Sequence, residues 1–159
     1  MKRIIIAMAL SIMFALASSA QNVHYERGYA SSLGAAVSVD QYCIMGNIQT
    51  YQGYNFGNGV SMGVLTGIGH ERMPYGEGIS VPLRIESSYH FLDENISPFI
   101  SAGLGVHWVG DIRDMSEATT SFAAGLDINK WQVFIGARMD TYERIIPAYV
   151  LSIGMNYCF

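Results

Sequence analysis

The chain has 159 residues, of which 50% are hydrophobic, 17 are glycines and only 14% are charged, with nine basic residues against thirteen acidic ones. This length suits one domain rather than two, and an acidic balance without a basic patch argues against a nucleic-acid partner. After the N-terminal leader no segment has about 18 consecutive apolar residues, so helical membrane spans are excluded.

The N-terminal leader has the pattern of a secretory signal peptide. Lys2 and Arg3 form a basic start, residues 4–17 an apolar core, and residues 18–20 (Ser-Ser-Ala) a cleavage site of small residues. The core is too short to cross a bilayer as a helix, which argues against the alternative of an N-terminal membrane anchor. Cleavage after residue 20 would leave residues 21–159 as one exported domain with a net charge of about −6.

Turn residues divide the exported domain into eight predicted strands. They are expected near residues 27–39, 42–54, 60–71, 78–92, 97–109, 118–129, 131–140 and 148–159. Segments rich in Asn, Asp or Gly predict tight hairpin turns at 55–59, 93–96 and 129–130. Longer polar segments lie between them at 72–77, 110–117 and 141–147. Short turns at one end and longer loops at the other are typical of outer-membrane barrels.

Four of the predicted strands alternate between apolar and polar side chains. In 131–140, for example, Ile135 would face outwards and Gln132 and Arg138 inwards, with Phe134 as an inward exception. The same alternation occurs in 78–92, 97–109 and 118–129. An apolar outer face and a polar inner face predict a barrel in lipid. The alternative of a soluble, lipocalin-like barrel would require the apolar faces to point inwards.

Aromatic residues mark the ends of the outward faces. Tyr89, Phe91, Trp108 and Trp131 are predicted to form the aromatic girdles that membrane barrels place at the lipid–water boundary. The alternative is that these rings belong to the core of a soluble β-sandwich, which the alternation disfavours. Pro82 lies inside a predicted strand, where a closed barrel has no free edge, so a bulge or local bend is expected there.

The inward polar residues are the candidate functional groups. Because eight strands enclose a space that side chains just fill, charges inside the barrel must form pairs. The favoured interpretation is a plug that rigidifies the barrel, and the alternative is a narrow ion path. The predicted lumen polar network consists of Arg84, Glu86, His90, Asp127 and Arg138.

A catalytic site has less support in the sequence. It contains no phosphate-binding loop and no CxxC, HExxH or GxSxG motif, and we expect no catalytic residue, metal or cofactor. Some eight-stranded outer-membrane barrels modify lipid A with a His, a Ser and an acidic partner near one rim. If this chain were such an enzyme, His107 or His70 would be the base and Glu71 or Asp140 its orienting carboxylate.

Several segments together carry a family resemblance. They are 53–56 (Gly-Tyr-Asn-Phe), 79–83 (Ile-Ser-Val-Pro-Leu), 89–91 (Tyr-His-Phe), 96–105 and the C-terminal strand. In this order they resemble the outer-membrane β-barrel domain family, which includes small OmpX-like, OmpA-like and PorT-like barrels. The resemblance implies an all-β, eight-stranded antiparallel up-and-down transmembrane barrel in the gram-negative outer membrane. It implies no activity, because the family shares a fold and a location only.

The last strand resembles the insertion signal of such barrels. Large apolar residues alternate with small or polar ones and end on an aromatic ring: Tyr149, Leu151, Ile153, Met155, Tyr157 and Phe159. Eleven residues tilted by about 45° rise about 25 Å, the height of the apolar band. The resemblance implies the barrel assembly machinery and outer-membrane lipids as partners. We expect a monomer with periplasmic termini and a structural role, or a surface role through extracellular loops.

Overall fold

The computed structural model describes residues 26–39, 44–73, 76–110, 115–141 and 147–159. The predicted signal peptide, residues 1–20, lies outside the described residues. Within the described ranges no helix is long and apolar enough to span a membrane.

Eight strands form one closed antiparallel barrel, as the sequence predicts. Each strand pairs with the next in the chain, and β8 pairs with β1 to close the wall. The strands are β1 (Arg27–Val39), β2 (Ile44–Phe56), β3 (Val60–Met73), β4 (Gly76–His90), β5 (Ile96–Val109), β6 (Met115–Ile128), β7 (Trp131–Thr141) and β8 (Pro147–Cys158).

The alternation of the sequence sets the two faces of the wall. On β7 the side chain of Ile135 is exposed on the outside, while Gln132 and Arg138 line the lumen. The register keeps the faces aligned, because Ile135 lies opposite Ala124 on β6 and opposite Ile153 on β8. A shift by one residue would exchange the two faces, so the outer stripe of apolar side chains fixes this register.

Three hairpin turns lie at one end of the barrel together with the start of β1 and the end of β8; we call it the turn end, and the opposite end the loop end. Gly57 and Gly59 have φ values of 78° and 79°, and Asn129 has a φ of 55°. Glycine adopts this left-handed conformation without strain, and asparagine tolerates it. The turns also bond to one another, since the amide of Asn129 donates to the carbonyl of Asn95 at 2.7 Å.

The strands extend further at the loop end than the sequence indicates. β3 continues to Met73, β4 begins at Gly76 and β6 begins at Met115, within segments expected to be loops. The connections at this end are therefore only two to five residues long. The expectation of long outer loops is wrong, because a strand that projects beyond the lipid tolerates polar side chains on both faces and loses its alternation.

Pro82 produces no bulge in β4, although a bulge is one of the two outcomes expected from the sequence. Thr66 pairs with Leu83 and Gly69 with Ser80, so the β3–β4 register is the same on both sides of the proline. Instead, the two intervening pairs are missing from the ladder. The barrel wall accommodates the proline by a local loss of β3–β4 pairing, without an extra residue in either strand.

The chemistry of proline explains this gap. The amide of His90 donates to the carbonyl of Gly59, the residue before β3, so the even-numbered residues of β4 direct their backbone groups towards β3. Pro82 is one of them, and it has no N–H. The carbonyl of Gly67, opposite it in the continuing register, therefore receives no donor from β4.

Candidate functional site

Four buried polar side chains from three strands meet in the lumen at the loop end, and we call them the loop-end cluster: Glu71, His107, Arg138 and Asp140. Arg138 Nε lies 2.7 Å from Asp140 Oδ2, and Arg138 Nη2 lies 3.3 Å from Glu71 Oε1. His107 Nε2 is 3.1 Å from Glu71 Oε1, and His107 Nδ1 is 4.0 Å from Asp140 Oδ2. Arg138 thus bridges a carboxylate of its own strand and one from the opposite wall.

The loop-end cluster excludes solvent. Glu71, His107 and Asp140 are 5%, 1% and 2% exposed, and Arg138 is 9% exposed. Charged groups that are this deeply buried must be paired, since an unpaired charge in a barrel interior is costly. The four side chains are therefore packed against one another with little room for water between them.

Two further ion pairs lie deeper in the lumen. Arg84 Nη2 is 3.9 Å from Glu86 Oε2, two residues along the same face of β4. His90 Nε2 is 2.8 Å from Asp127 Oδ2 near the turn end, and the His90 ring stacks on Phe99 at a centroid distance of 5.6 Å. Carboxylates thus lie beside basic side chains along the length of the barrel.

Neutral side chains connect the walls between these pairs. Gln49 Nε2 donates to Asn156 Oδ1 at 3.2 Å, and Asn156 Nδ2 donates to Gln132 Oε1 at 2.8 Å, which joins β2, β8 and β7. The hydroxyls of Ser61 and Ser88 are 2.6 Å apart. Satisfied polar networks of this kind rigidify a buried region.

The remaining space in the lumen is small and divided. One cavity of about 110 Å³ opens among turn-end residues such as Arg27 and Cys158, and a second of about 50 Å³ lies towards Arg138. Leu65 and Phe99 line both cavities and so stand between them. The interior is a packed space with pockets for a few waters.

Aromatic rings fill the middle of the lumen because glycines make room for them. Phe134 points inwards, as the sequence predicts, and a Cβ added at Gly154 would collide with its ring. A Cβ at Gly125 would lie 2.6 Å from Cε1 of Phe99. Each ring therefore packs directly against the backbone of a glycine on a neighbouring strand, where any side chain would collide with it.

All five residues of the predicted lumen network lie on the inner face, but they do not form one network. Arg84 contacts Glu86, His90 contacts Asp127, and Arg138 contacts residues outside the predicted set. The sequence interpretation did not predict that Arg138 pairs with Glu71 and Asp140, or that His107 lies against both carboxylates. Alternation gives the facing of Asp140, two residues after Arg138, but contacts across the lumen depend on the shear of the barrel.

Of the four residues considered for catalysis, three meet in the lumen and one lies on the outside of the barrel. His107 meets Glu71 and Asp140 in the lumen, while His70 is exposed on the outer face of β3, pointing away from its neighbour Glu71. In the described part of the chain, no hydroxyl or thiol forms a hydrogen bond with either ring nitrogen of His107. Acyl transfer would require such a hydroxyl or thiol within hydrogen-bond reach of the base.

Exposed apolar side chains form a belt on the outer surface that includes every strand. One outward residue from the middle of each strand is between 41% and 65% exposed: Val37, Ile48, Val64, Ile85, Leu104, Phe122, Ile135 and Ile153. Such a belt is far larger than the apolar patches of soluble proteins. A closed barrel with an apolar belt and a polar interior is the spanning structure of bacterial outer membranes.

The aromatic residues lie at the two edges of this belt. Tyr89, Phe91 and Trp131 are exposed at the turn end, and Trp108 is exposed at the loop end. At the turn end the rings form edge-to-face pairs, with Tyr89 and Phe91 5.0 Å apart and Trp131 and Tyr157 5.0 Å apart. These positions are the ones the girdles of a membrane barrel occupy.

Known structures share this architecture. The N-terminal β-barrel domain of Pseudomonas aeruginosa OprF is 15% identical with a TM-score of 0.58, covering 84% of this chain and 100% of that domain. The outer-membrane enzyme PagL is 16% identical with a TM-score of 0.61, covering 80% of this chain and 98% of PagL. Neisserial surface protein A is 14% identical with a TM-score of 0.54, covering 82% of this chain and 96% of that one.

The chain is an eight-stranded outer-membrane β-barrel. No protein-family model and no curated protein sequence matches it, so the fold and the belt carry this assignment. The belt and girdles locate the barrel in the outer membrane of a gram-negative bacterium. At these sequence identities, the likeness to PagL and OprF concerns the fold alone.

The residues of the predicted insertion signal from Tyr149 to Tyr157 lie on the outer face of β8, and Phe159 follows its last residue. Tyr149, Leu151, Ile153 and Met155 are 69%, 63%, 61% and 48% exposed, and Tyr157 and Phe159 are half-buried. β8 forms the closing seam with β1, and the amide of Phe159 donates to the carbonyl of Ser31 at 3.0 Å.

Proposed function

We propose that this protein is a non-enzymatic structural element of the outer membrane, a rigid barrel whose lumen is plugged by its own side chains. The observation that carries the proposal is the loop-end cluster, in which Arg138 joins Glu71 and Asp140 under almost complete burial. A pore would need a continuous hydrated path past these groups. The ion pairs and hydrogen bonds of the lumen instead join opposite walls, which stiffens the barrel.

The short connections at the loop end favour a structural role over a surface role. Adhesion or recognition by small barrels requires loops that present a surface to a partner. Here the loop-end connections have two to five residues, which offers little area for contact. On this proposal the partners are outer-membrane lipids around the belt and, during biogenesis, the barrel assembly machinery.

An enzyme of lipid A is the alternative with a structural observation behind it, the 3.1 Å contact between His107 and Glu71. Two features argue for the structural role instead. His107 is 1% exposed, so a lipid substrate has no access to it, and its ring nitrogens form no hydrogen bond with a nucleophile in the described residues. The two carboxylates of the cluster are engaged by Arg138, which fits a structural role better than an acid–base pair awaiting a substrate.

Planar-bilayer recordings test the plug directly. The purified native protein should give conductance near background, while Arg138→Ala together with Glu71→Ala should open measurable events by removing part of the plug. Gln132→Ala is the matched control, because it removes a neutral lumen side chain of β7 and leaves the cluster intact. A large steady current through the native protein would contradict the proposal.

Envelope assays test the structural role. A strain without the protein should become more permeable to bulky antibiotics and detergent, and expression of the native chain should restore the barrier. His107→Asn should restore it equally, because a structural barrel does not need this base. If His107→Asn fails to complement although it assembles normally, and lipid A composition changes with it, the enzyme alternative is the right one.

A further inference from the structure

One sector of the lipid-facing wall carries polar side chains among the apolar ones. On β7 every outward residue from Trp131 to Met139 is apolar, and β8 is equally so. On β2 the outward positions include Thr50 and Gln52, and Thr66 on β3 lies directly opposite Thr50. We call these three residues the intramembrane patch. A polar side chain in a hydrocarbon environment is costly and calls for a partner.

A chain of hydrogen bonds runs through the intramembrane patch. The hydroxyl of Tyr29 donates to Gln52 Oε1, and Gln52 Nε2 donates to Thr50 Oγ1 at 2.9 Å. Thr50 Oγ1 in turn donates to the backbone carbonyl of Ser32 at 3.0 Å. The patch is thus an ordered arrangement that holds the Gln52 amide in place on the outer face.

This arrangement leaves part of the Gln52 amide unused. A primary amide has two N–H donors and two acceptor sites. Among the described residues Gln52 uses one donor, towards Thr50, and one acceptor site, towards Tyr29. One N–H and one lone pair therefore remain on a side chain that faces the membrane.

The patch lies within the hydrocarbon layer. A strand tilted by about 45° rises roughly 2.3 Å per residue along the membrane normal. Gln52 and Thr50 are four and six residues from Phe56, which belongs to the turn-end aromatic girdle. They are therefore about 9 and 14 Å above the girdle, beyond the reach of interfacial water.

We propose that two copies of this chain meet in the membrane at the intramembrane patch through the half-buried Gln52 side chain, which the buried Thr50 holds in place. The remaining donor and acceptor of Gln52 are self-complementary, so the amide of one copy satisfies the amide of the other. A two-fold axis along the membrane normal brings each residue to its own copy at the same depth. A different protein would need a matching polar group at that depth, which a second copy supplies automatically. The proposal departs from the monomer expected from the sequence.

Crosslinking in lipid vesicles tests the surface. In a background with Cys43→Ser and Cys158→Ser, Val64→Cys places a thiol beside Gln52, its partner across the β2–β3 ladder. Ile135→Cys is the matched control, since Ile135 is four residues from the turn-end residue Trp131 and lies on the apolar sector. A short bifunctional thiol reagent should give dimers with Val64→Cys and several-fold fewer with Ile135→Cys.

Sedimentation equilibrium in density-matched detergent gives the second arm. The native protein should approach twice the monomer mass, and Gln52→Leu, of similar volume, should weaken association at least about tenfold. Ile135→Leu should leave association unchanged. A native monomer at all concentrations, undiminished association of Gln52→Leu, or equal crosslinking at both cysteines would each overturn the proposal. Should Gln52→Leu fail to fold, as judged by heat-modifiable gel mobility, the cysteine comparison decides, because it retains Gln52.

Discussion

Arg138 and Asp140 occupy consecutive inward positions of β7, with Nε 2.7 Å from Oδ2, and the same guanidinium reaches Glu71 on the opposite wall at 3.3 Å. One cation therefore holds two carboxylates together in a space almost without water. Its loss would leave both negative charges buried side by side.

Replacing this arginine should destabilise the barrel severely. Arg138→Met should lower the free energy of unfolding by about 3 kcal/mol or more, because it leaves the carboxylates of Glu71 and Asp140 buried without their cation. Urea titration in lipid vesicles, followed by tryptophan fluorescence, measures the change. Adding Glu71→Gln and Asp140→Asn should recover a substantial part of the loss. Gln132→Met is the control, and a single variant no worse than this control would contradict the bridging role.

Neighbouring positions of β4 should report opposite environments. Leu83 and Ile85 are 42% and 58% exposed on the outer face, while the Arg84 side chain faces the lumen. An environment-sensitive fluorophore on Leu83→Cys or Ile85→Cys should be quenched by lipid-borne quenchers, and on Arg84→Cys it should not. Circular dichroism of each labelled protein controls for folding. Equal quenching at all three positions would refute the assignment of faces.

The gap at Pro82 should appear in hydrogen exchange. Gly67 lies where the β3–β4 pairing is missing, whereas Leu65 pairs with Arg84 two residues away. The amide of Gly67 should exchange about tenfold or more faster than that of Leu65, since local opening requires less disruption there. Pro82→Ala restores a donor for the Gly67 carbonyl and should reduce the difference. Equal protection of the two amides in the native protein would show that the ladder is continuous.

The C-terminal aromatic residue should matter for assembly. Insertion by strand pairing at an edge of the assembly machinery is a form of β-augmentation, and the resemblance of β8 to insertion signals assigns this role to Phe159. Phe159→Asp should leave periplasmic, protease-sensitive protein, and Phe159→Tyr should assemble normally. Cell fractionation with protease treatment measures both. If Phe159→Asp reached normal levels in the outer membrane, Phe159 would not be part of an insertion signal.

The sequence predicts the architecture well because lipid imposes a simple rule on each strand. Ile135 and Ile153 can be assigned outwards from alternation alone, and strand pairing in chain order follows from the tight turns. Strand ends at the loop end are harder to predict, as Met73 and Gly76 show, because beyond the lipid there is no longer one apolar and one polar face. The proline illustrates another limit, since the sequence does not decide between a bulge and a gap.

The contacts inside the lumen are the part that alternation cannot provide. It places Glu71 and Arg138 on inner faces, but their meeting depends on the tilt and stagger of strands four places apart around the wall. The sequence interpretation therefore assigned Glu71, His107 and Asp140 to a catalytic alternative. Only the closed barrel reveals that the two carboxylates pair with Arg138 and that His107 lies against both of them.

The placement of the loop-end cluster has a consequence for how the protein reaches its native state. Glu71 lies on β3 and Arg138 on β7, so these partners come within 3.3 Å only after the sheet has curled into a cylinder. Until then each charge must remain hydrated, and an unclosed sheet cannot settle into lipid with these groups dry. The ion pair between Arg138 and Glu71 therefore forms late in folding, and the barrel cannot open without breaking it. It sets the lifetime of the inserted barrel more than the speed of its insertion.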